Sequence, residues 1–313
     1  MDPLTDLLDG PRARGAYLLR SSLNPPWSVR IQDEAPLCLV AMVSDGAWLT
    51  HDDDSGWTRL EQGDIAILRG PDPYVIADDP ATAPQIVIHP GQRCATPGGA
   101  SLSEEMDLGV RNWGTAPDAS TVMLVGAYQM QGAVTHRLLA ALPRLVVVPG
   151  GSWDSPLLPL LGQEIDRDEP GQDVVLDRLL DLLLTAVLRV WFARPEAEAP
   201  GWYRAHGDPV VGPALRLLHD DPAHAWTVAA LAGEVGVSRA ALAQRFTKML
   251  GEPPMTYLTT LRLAQAADMV RESDATLETI ARRVGYGTAF ALSTAFKREH
   301  GVSPQDYRAG APA

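Results

Sequence analysis

Cysteine is nearly missing from the 313 residues, with Cys38 and Cys94 the whole supply. Two thiols exclude a disulfide-stapled scaffold and read as reduced residues of a cytoplasmic protein. Lysine is equally scarce: only Lys248 and Lys297 are present. No apolar run approaches the ~18 residues that a membrane span requires. The most leucine-rich stretch, 176–192, is broken by Asp177, Arg178, Asp181 and Arg189. The opening MDPLTDLLDG is acidic where a secretory signal would be basic, so no membrane association is expected.

What is present suits two domains, with 46% hydrophobic and 21% charged residues supplying real cores. The net charge of −13 is unevenly spread. From Asp208 onward 11 lysines plus arginines balance 11 aspartates plus glutamates, while 15 face 28 ahead of it. The acidic first part is a poor polyanion binder; the neutral second part stays a candidate.

Residues 15 to about 135 read as short strands, among them Leu37–Val43, Asp64–Leu68, Gln85–His89 and Thr121–Tyr128. Gly/Pro/Asp clusters such as RGPDP (69–73) and ADDPATAP (77–84) punctuate them. This spacing predicts an antiparallel barrel or double-sheet jelly roll. From about Ser155 the period turns helical. Leu176, Leu180, Leu183, Val187 and Val190 recur at 4-3-4-3 spacing, widened by Leu179, Leu182 and Ala186. That stripe fits either an intramolecular core or a dimer seam. ARPEAEAP (193–200) reads as a linker.

The C-terminal part is all helical by pattern and repeats itself. Shifting Ser238–Leu258 by 50 residues lays it on Thr288–Arg308 with six identities in 21 positions: Ala241, Leu242, Phe246, Gly251, Pro254 and Tyr257 meet Ala291, Leu292, Phe296, Gly301, Pro304 and Tyr307. Upstream the shift is 49, because one residue is inserted in a turn. Each unit reads as capped helix, glycine turn, capped helix: Thr227, Gly236 and Ser238 in one, Thr276, Gly285 and Thr288 in the other. This is the helix-turn-helix layout, at about 227–250 and 276–300. A helix from Pro253-Pro254 to about Glu272 separates the units by roughly 27 Å, comparable to the ~34 Å between successive major-groove faces.

The outward positions are candidate DNA contacts. On the first reading helix these are Arg239, Ala240, Ala243 and Gln244, of which Gln244 suits adenine and Arg239 suits guanine or phosphate. On the second, Thr288, Ala289, Phe290, Ser293 and Thr294 offer apolar and light polar contacts. Lys248, Lys297 and Arg298 near the helix ends are phosphate anchors.

Two segments carry a family resemblance: GEPPMTYLTTLRLAQAADMV (251–270) and GYGTAFALSTAFKREHGVSPQDYR (285–308). Residues 208–311 resemble the DNA-binding domain of AraC/XylS bacterial transcription regulators. Residues 15–205 are similar to the cupin-type N-terminal domain of one branch, through LEQGDIAILRGPDPY (60–74) and HRLLAALPRLVVV (136–148). The expected fold is α+β with two domains. A cupin-like β-barrel sensor (1–135) leads into a helical dimerisation region and linker (136–205), followed by an all-α tandem helix-turn-helix domain (208–311).

The resemblance implies a sequence-specific regulator that binds double-stranded promoter DNA. It implies a homodimer responding to a small-molecule effector or oxidant, with RNA polymerase as a further partner if it activates. Gln244 and Thr294 stand where relatives often carry arginine, so sequence preference is expected to differ, with the second helix mostly positioning. No cofactor is expected. A metal-free barrel is expected as well, since His51 precedes three aspartates without a paired histidine and Tyr74 replaces the late histidine of metal-binding cupins. His89 and His136 read as structural. Of two candidate redox sensors, Cys38 in its apolar strand reads as inert, while Cys94 beside Arg93 is expected to be accessible with a lowered pKa. Rival readings are a cupin enzyme fused to a helical module, and a protein-interaction scaffold.

Overall fold

The computed structural model describes residues 17–51, 56–128, 139–152, 155–194 and 199–310. Residues up to 128 and from 142 to 194 form a sheet unit, and residues 139–141 and from 199 onward form a helical unit. Twelve strands make up the sheet unit's two layers: β1 (Tyr17–Leu23), β2 (Ser28–Ile31), β3 (Leu37–Ser44), β4 (Ala47–His51), β5 (Thr58–Leu60), β6 (Ile65–Arg69), β7 (Tyr74–Ala77), β8 (Ile86–His89), β9 (Arg93–Ala95), β10 (Asn112–Gly114), β11 (Thr121–Tyr128) and β12 (Leu145–Val148). The strand orders are β10-β1-β11-β3-β6-β12 and β5-β4-β7-β2-β8-β9. The four strands singled out in the sequence lie within a residue of β3, β6, β8 and β11.

The arrangement is the double-sheet form of the two expected. Val40, Met42 and Met123 from one layer and Val29, Leu49 and Ile76 from the other share one buried cluster. Along β4 burial alternates, as a strand with one wet face requires. Leu37, Leu39 and Ala41 of β3 are buried on the opposite face too, because helices cover that layer.

Those helices are α1 (Leu157–Ile165), lying on β1 and β3, and α2 (Gln172–Phe192), lying on β12. Leu180 of α2 seats against Gly126, where a Cβ would come within 2.9 Å of its methyl group. The Tyr128 hydroxyl donates to the Leu180 carbonyl at 3.1 Å. Leu176, Leu180, Leu183 and Val187 are all buried, so the stripe read from the sequence is intramolecular core. Leu184 and Leu188 widen it, and Leu182 faces out at 54% exposure. The strand β12 lies inside the stretch expected to be helical. Its β-branched run Val146–Val148 pairs with β6, and pairing of that kind outweighs local pattern.

The helical unit runs α3 (Gly201–His206), α4 (Val211–Asp220), α5 (Val228–Glu234), α6 (Arg239–Leu250), α7 (Pro254–Glu272), α8 (Leu277–Arg283), α9 (Ala289–His300) and α10 (Pro304–Arg308). The internal repeat is structural. The four cap side chains read from the sequence, Thr227, Ser238, Thr276 and Thr288, each accept a backbone N–H three residues on. A cap of this kind contributes about 1 kcal/mol. Gly236 and Gly285 turn the chain at φ of 70° and 81°. One residue, Val237, then precedes the Ser238 cap, whereas Tyr286 and Gly287 precede Thr288, which locates the insertion. Phe246 meets Tyr257 edge-on at 5.7 Å, and Phe296 meets Tyr307 likewise at 5.3 Å.

Both cores draw on α7. Tyr257, Leu258 and Leu261 belong to the first; Leu263, Ala266, Ala267 and Val270 belong to the second. His300, at the end of α9, stacks on Phe296 with ring centroids 4.3 Å apart. Burial pushes its pKa below the ordinary 6.5, against smaller opposing effects from Glu299 and a Leu263 backbone hydrogen bond. As pH falls below that ordinary value, the unfolded chain takes the proton before the folded one, so stability declines. The thermal midpoint should therefore fall between about pH 7.5 and pH 5.5 by more in the native chain than in His300→Gln. Parallel profiles in a calorimetric pH series would contradict this.

Candidate nucleic-acid interface and sensor cavity

The inward side chains Leu242 and Phe246 of α6, and Leu292 and Phe296 of α9, fix which face each helix turns outward. On α6, Arg239, Ala240, Gln244 and Lys248 are exposed and Ala243 is half-buried. On α9, Thr288, Phe290, Thr294, Lys297 and Arg298 are exposed, while Ala289 and Ser293 are half-buried. The structure thus brings each set of candidate contacts onto one helix face. Phe290 is 82% exposed, a large ring held in water at the first turn of a helix. That placement has no packing rationale within the described residues. Thr288 spends its hydroxyl oxygen on the Ala291 amide, and the Thr294 hydroxyl donates back to the Phe290 carbonyl.

Several charged groups here were not singled out in the sequence. Arg245 lies on α6 but is withdrawn, because its Nε and Nη2 both donate to Asp208 Oδ2, at 2.9 and 2.7 Å. Asp208 Oδ1 meanwhile accepts from the Val210 and Val211 amides. Burial alone would raise that carboxyl, yet the hydrogen bonds from Arg245 and the two amides outweigh it and hold it below its usual value. Arg282 and Arg283 end α8 exposed beside the second turn. The adjacent basic pair was visible in the sequence, but it lies on the helix before the reading one. Glu278 accepts from the Ala289 amide at 3.2 Å and occupies the start of α9 with a carboxylate.

The two readers are locked to a common frame. Arg262, in the middle of α7, donates to the carbonyls of Pro222 (2.6 Å) and His224 (2.8 Å) in the α4–α5 loop. Gly285, in the second turn, leans on the same loop. A Cβ there would lie 2.8 Å from Ala223 Cα, Ala223 O and the Arg262 guanidinium.

In the sheet unit a cavity opens between the layers, with about 710 Å³ free of atoms, its mouth included. Both cysteines line it. Cys94 lacks the accessibility expected from its neighbour Arg93. Arg93 and Cys94 are consecutive in β9, so their side chains point to opposite faces. Arg93 is exposed and Cys94 only 4% exposed. Burial raises the Cys94 thiol above its usual value, with a Trp113 hydrogen bond pulling the other way. Cys38 is pushed up to about 12, by burial first, and accepts a hydrogen bond from Tyr74 at 3.2 Å. Neither thiol has the accessible, thiolate-favouring setting of a reactive cysteine.

His51 is buried, its ring 6.5 Å from that of Tyr74. His89 Nδ1 lies 3.1 Å from the Gln32 amide nitrogen. His136 and Asp52–Asp54 lie outside the described residues. Among the described residues no three His, Cys, Asp or Glu side chains gather as a metal site, and no helix is long and apolar enough to cross a membrane.

Paired reading helices on a shared frame, together with a cavity-bearing double-sheet unit, define a two-domain DNA-binding regulator. The chain matches the cupin family over residues 2–193 and the helix-turn-helix domain family over residues 231–310. It is 33% identical over 312 residues to an AraC-like transcription regulator of Streptomyces antibioticus, covering 98% of both chains. It is 30% identical over 194 residues to the RCS-specific HTH-type transcriptional activator RclR of Escherichia coli K12, covering 60% of this chain and 68% of that one. The crystal structure of the DNA-binding domain of AdpA with a target DNA is 31% identical, covers 33% of this chain and 93% of that one, and has a TM-score of 0.31. The chain belongs to the AraC family of transcription regulators, with a cupin N-terminal domain and a helix-turn-helix DNA-binding domain.

Proposed function

We propose that this regulator reads a promoter with both helix faces at once, and that it is a regulator and not an enzyme. It acts in the cytoplasm, where promoter DNA lies. Arg239, Ala240, Ala243 and Gln244 enter one major groove, while Ala289, Phe290, Ser293 and Thr294 enter the next. Lys248, Lys297, Arg298, Arg282 and Arg283 hold phosphates, and Thr288 sits at the rim. The duplicated frame, with matching caps, turns and aromatic pairs, carries this reading. Footprinting of the intact protein on its own upstream region tests it. The expected result is a two-part protected site on one helical face; no protection at low salt would overturn it.

The sheet unit senses an effector in its cavity and pairs with a second copy of the chain. Val175 and Leu182, at 44% and 54% exposure, lie on the outer face of α2, with Leu179 half-buried between them and Ala186 half-buried one turn further on. Their spacing of 4, 3 and 4 residues makes a narrow apolar seam next to the face already buried. Leu182→Glu should convert a dimer to monomer in sedimentation at micromolar concentration while the far-ultraviolet circular dichroism stays native, since this side chain is outside the unit's core. A variant that sediments like the native chain would remove α2 from the interface.

A further inference from the structure

The cavity between the sheets has an uneven lining. Leu19, Val29, Ile88, Met123 and Val125 give it apolar walls. Its polar side chains mostly satisfy one another: Tyr74 donates to Cys38, and Trp113 hydrogen-bonds Cys94. Those pairs are neutral. Asp33, from the β2–β3 loop, is the one charged side chain among the residues that line it.

Among the described residues the Asp33 carboxylate has only neutral partners. Its Oδ1 accepts from the Ala35 amide at 3.1 Å, and its Oδ2 accepts from Gln92 Nε2 at 2.9 Å. No cation among the described residues pairs with it. Gln92 reaches it from the β8–β9 turn with a φ of 60°, a left-handed backbone that a residue with a Cβ adopts only at some cost. A half-buried anion beside apolar walls gains more from a counter-charge than one in open water. The sequence before Asp208 adds to this preference, since it carries 28 acidic side chains against 15 basic ones.

We infer that the cavity takes an apolar molecule bearing one protonated amine, its hydrocarbon body between the sheets and its ammonium group on Asp33. This inference rests on the sensor reading of the sheet unit. It adds the ligand's charge and shape. An anionic amphiphile would place like charge against Asp33, and a neutral one would keep only the contacts of its body.

Octylammonium, octan-1-ol and octanoate share one chain length and differ in the head, so they separate these cases. Titrated into the full chain and followed by tryptophan fluorescence (Trp113 lines the cavity) and thermal shift, octylammonium should bind at least tenfold more tightly than octanol, with octanoate weakest. Asp33→Asn keeps an acceptor for the Ala35 amide and presents its NH2 to Gln92, whose side-chain amide can turn its oxygen to accept it. The variant should erase the preference for the amine while leaving octanol affinity in place. Equal affinities for all three probes in the native chain would overturn the inference without recourse to any variant. An amine preference that survives in Asp33→Asn would overturn it too, since adsorption to the acidic surface would then be the cause. Anisotropy of a labelled promoter duplex, run alongside, distinguishes the two levels. Amine binding as described with no change in duplex affinity supports the ligand class and removes the sensor role. Duplex affinity that responds to octanoate but not to octylammonium keeps the sensor and overturns the ligand class.

Discussion

Replacing Gly285 with alanine should lower the thermal midpoint of the helical unit by about 10 °C or more, roughly twice the effect of the same change at Gly236. Both glycines have positive φ, so each alanine incurs the left-handed penalty of about 1–2 kcal/mol. At Gly236 nothing lies within 4 Å of the added Cβ, and that penalty is the whole effect. At Gly285 the methyl group meets backbone atoms of Ala223 at 2.8 Å. Backbone cannot rotate aside as a side chain can, and overpacking of this kind typically adds about 1–3 kcal/mol. A total of about 2–5 kcal/mol in a domain of this size corresponds to the stated shift, at about 4–8 °C per kcal/mol. Equal midpoints for the two variants in differential scanning calorimetry would mean that the second turn does not press on the α4–α5 loop.

The double change Lys248→Ala with Arg298→Ala should weaken promoter binding ten- to hundredfold at about 0.1 M salt and flatten its salt dependence by about 1.8 in log–log slope. The two residues occupy equivalent places in the repeat, one per reading helix. Each phosphate neutralised contributes roughly 0.9 to that slope. The domain as a whole supplies no excess positive field, since its 11 basic and 11 acidic side chains cancel. Individual anchors therefore carry more of the phosphate attraction than they would on a strongly basic protein. Phe290→Ala is the contrasting change, because its ring carries no charge. It should relax base preference by about 1–3 kcal/mol at its own contact position and leave the slope as it was. Anisotropy titrations over a salt series read both quantities. An unchanged slope in the double variant would show that these two side chains do not touch the backbone of the duplex.

The helical unit was far more legible in the sequence than the sheet unit, for a physical reason. Caps, turn glycines and i, i+4 spacing are local, so Thr227, Gly236, Ser238 and their counterparts 49 or 50 residues on identified the four helices of the repeat within a residue or so. The sheet unit is decided by distant pairings. The spacing of Leu176, Leu180, Leu183 and Val187 showed a stripe but could not say that Gly126 leaves the seat for it. The run at Val146–Val148 acquires its meaning from β6, some 80 residues earlier. The setting of Cys94 cannot be read from Arg93, because that neighbour along the chain lies across the strand from it in space. Arg245 shows the limit within the helical unit, where only the folded chain reveals that Asp208 holds it.

Because a single rod, α7, contributes side chains to two hydrophobic interiors, neither half of the repeat could be cut away without leaving greasy surface bare on the other. The distance between the readers then behaves as a ruler and not as a tether. Operators with extra base pairs between the two contacted segments would have to bend or twist to be bridged, and the protein could not stretch to meet them.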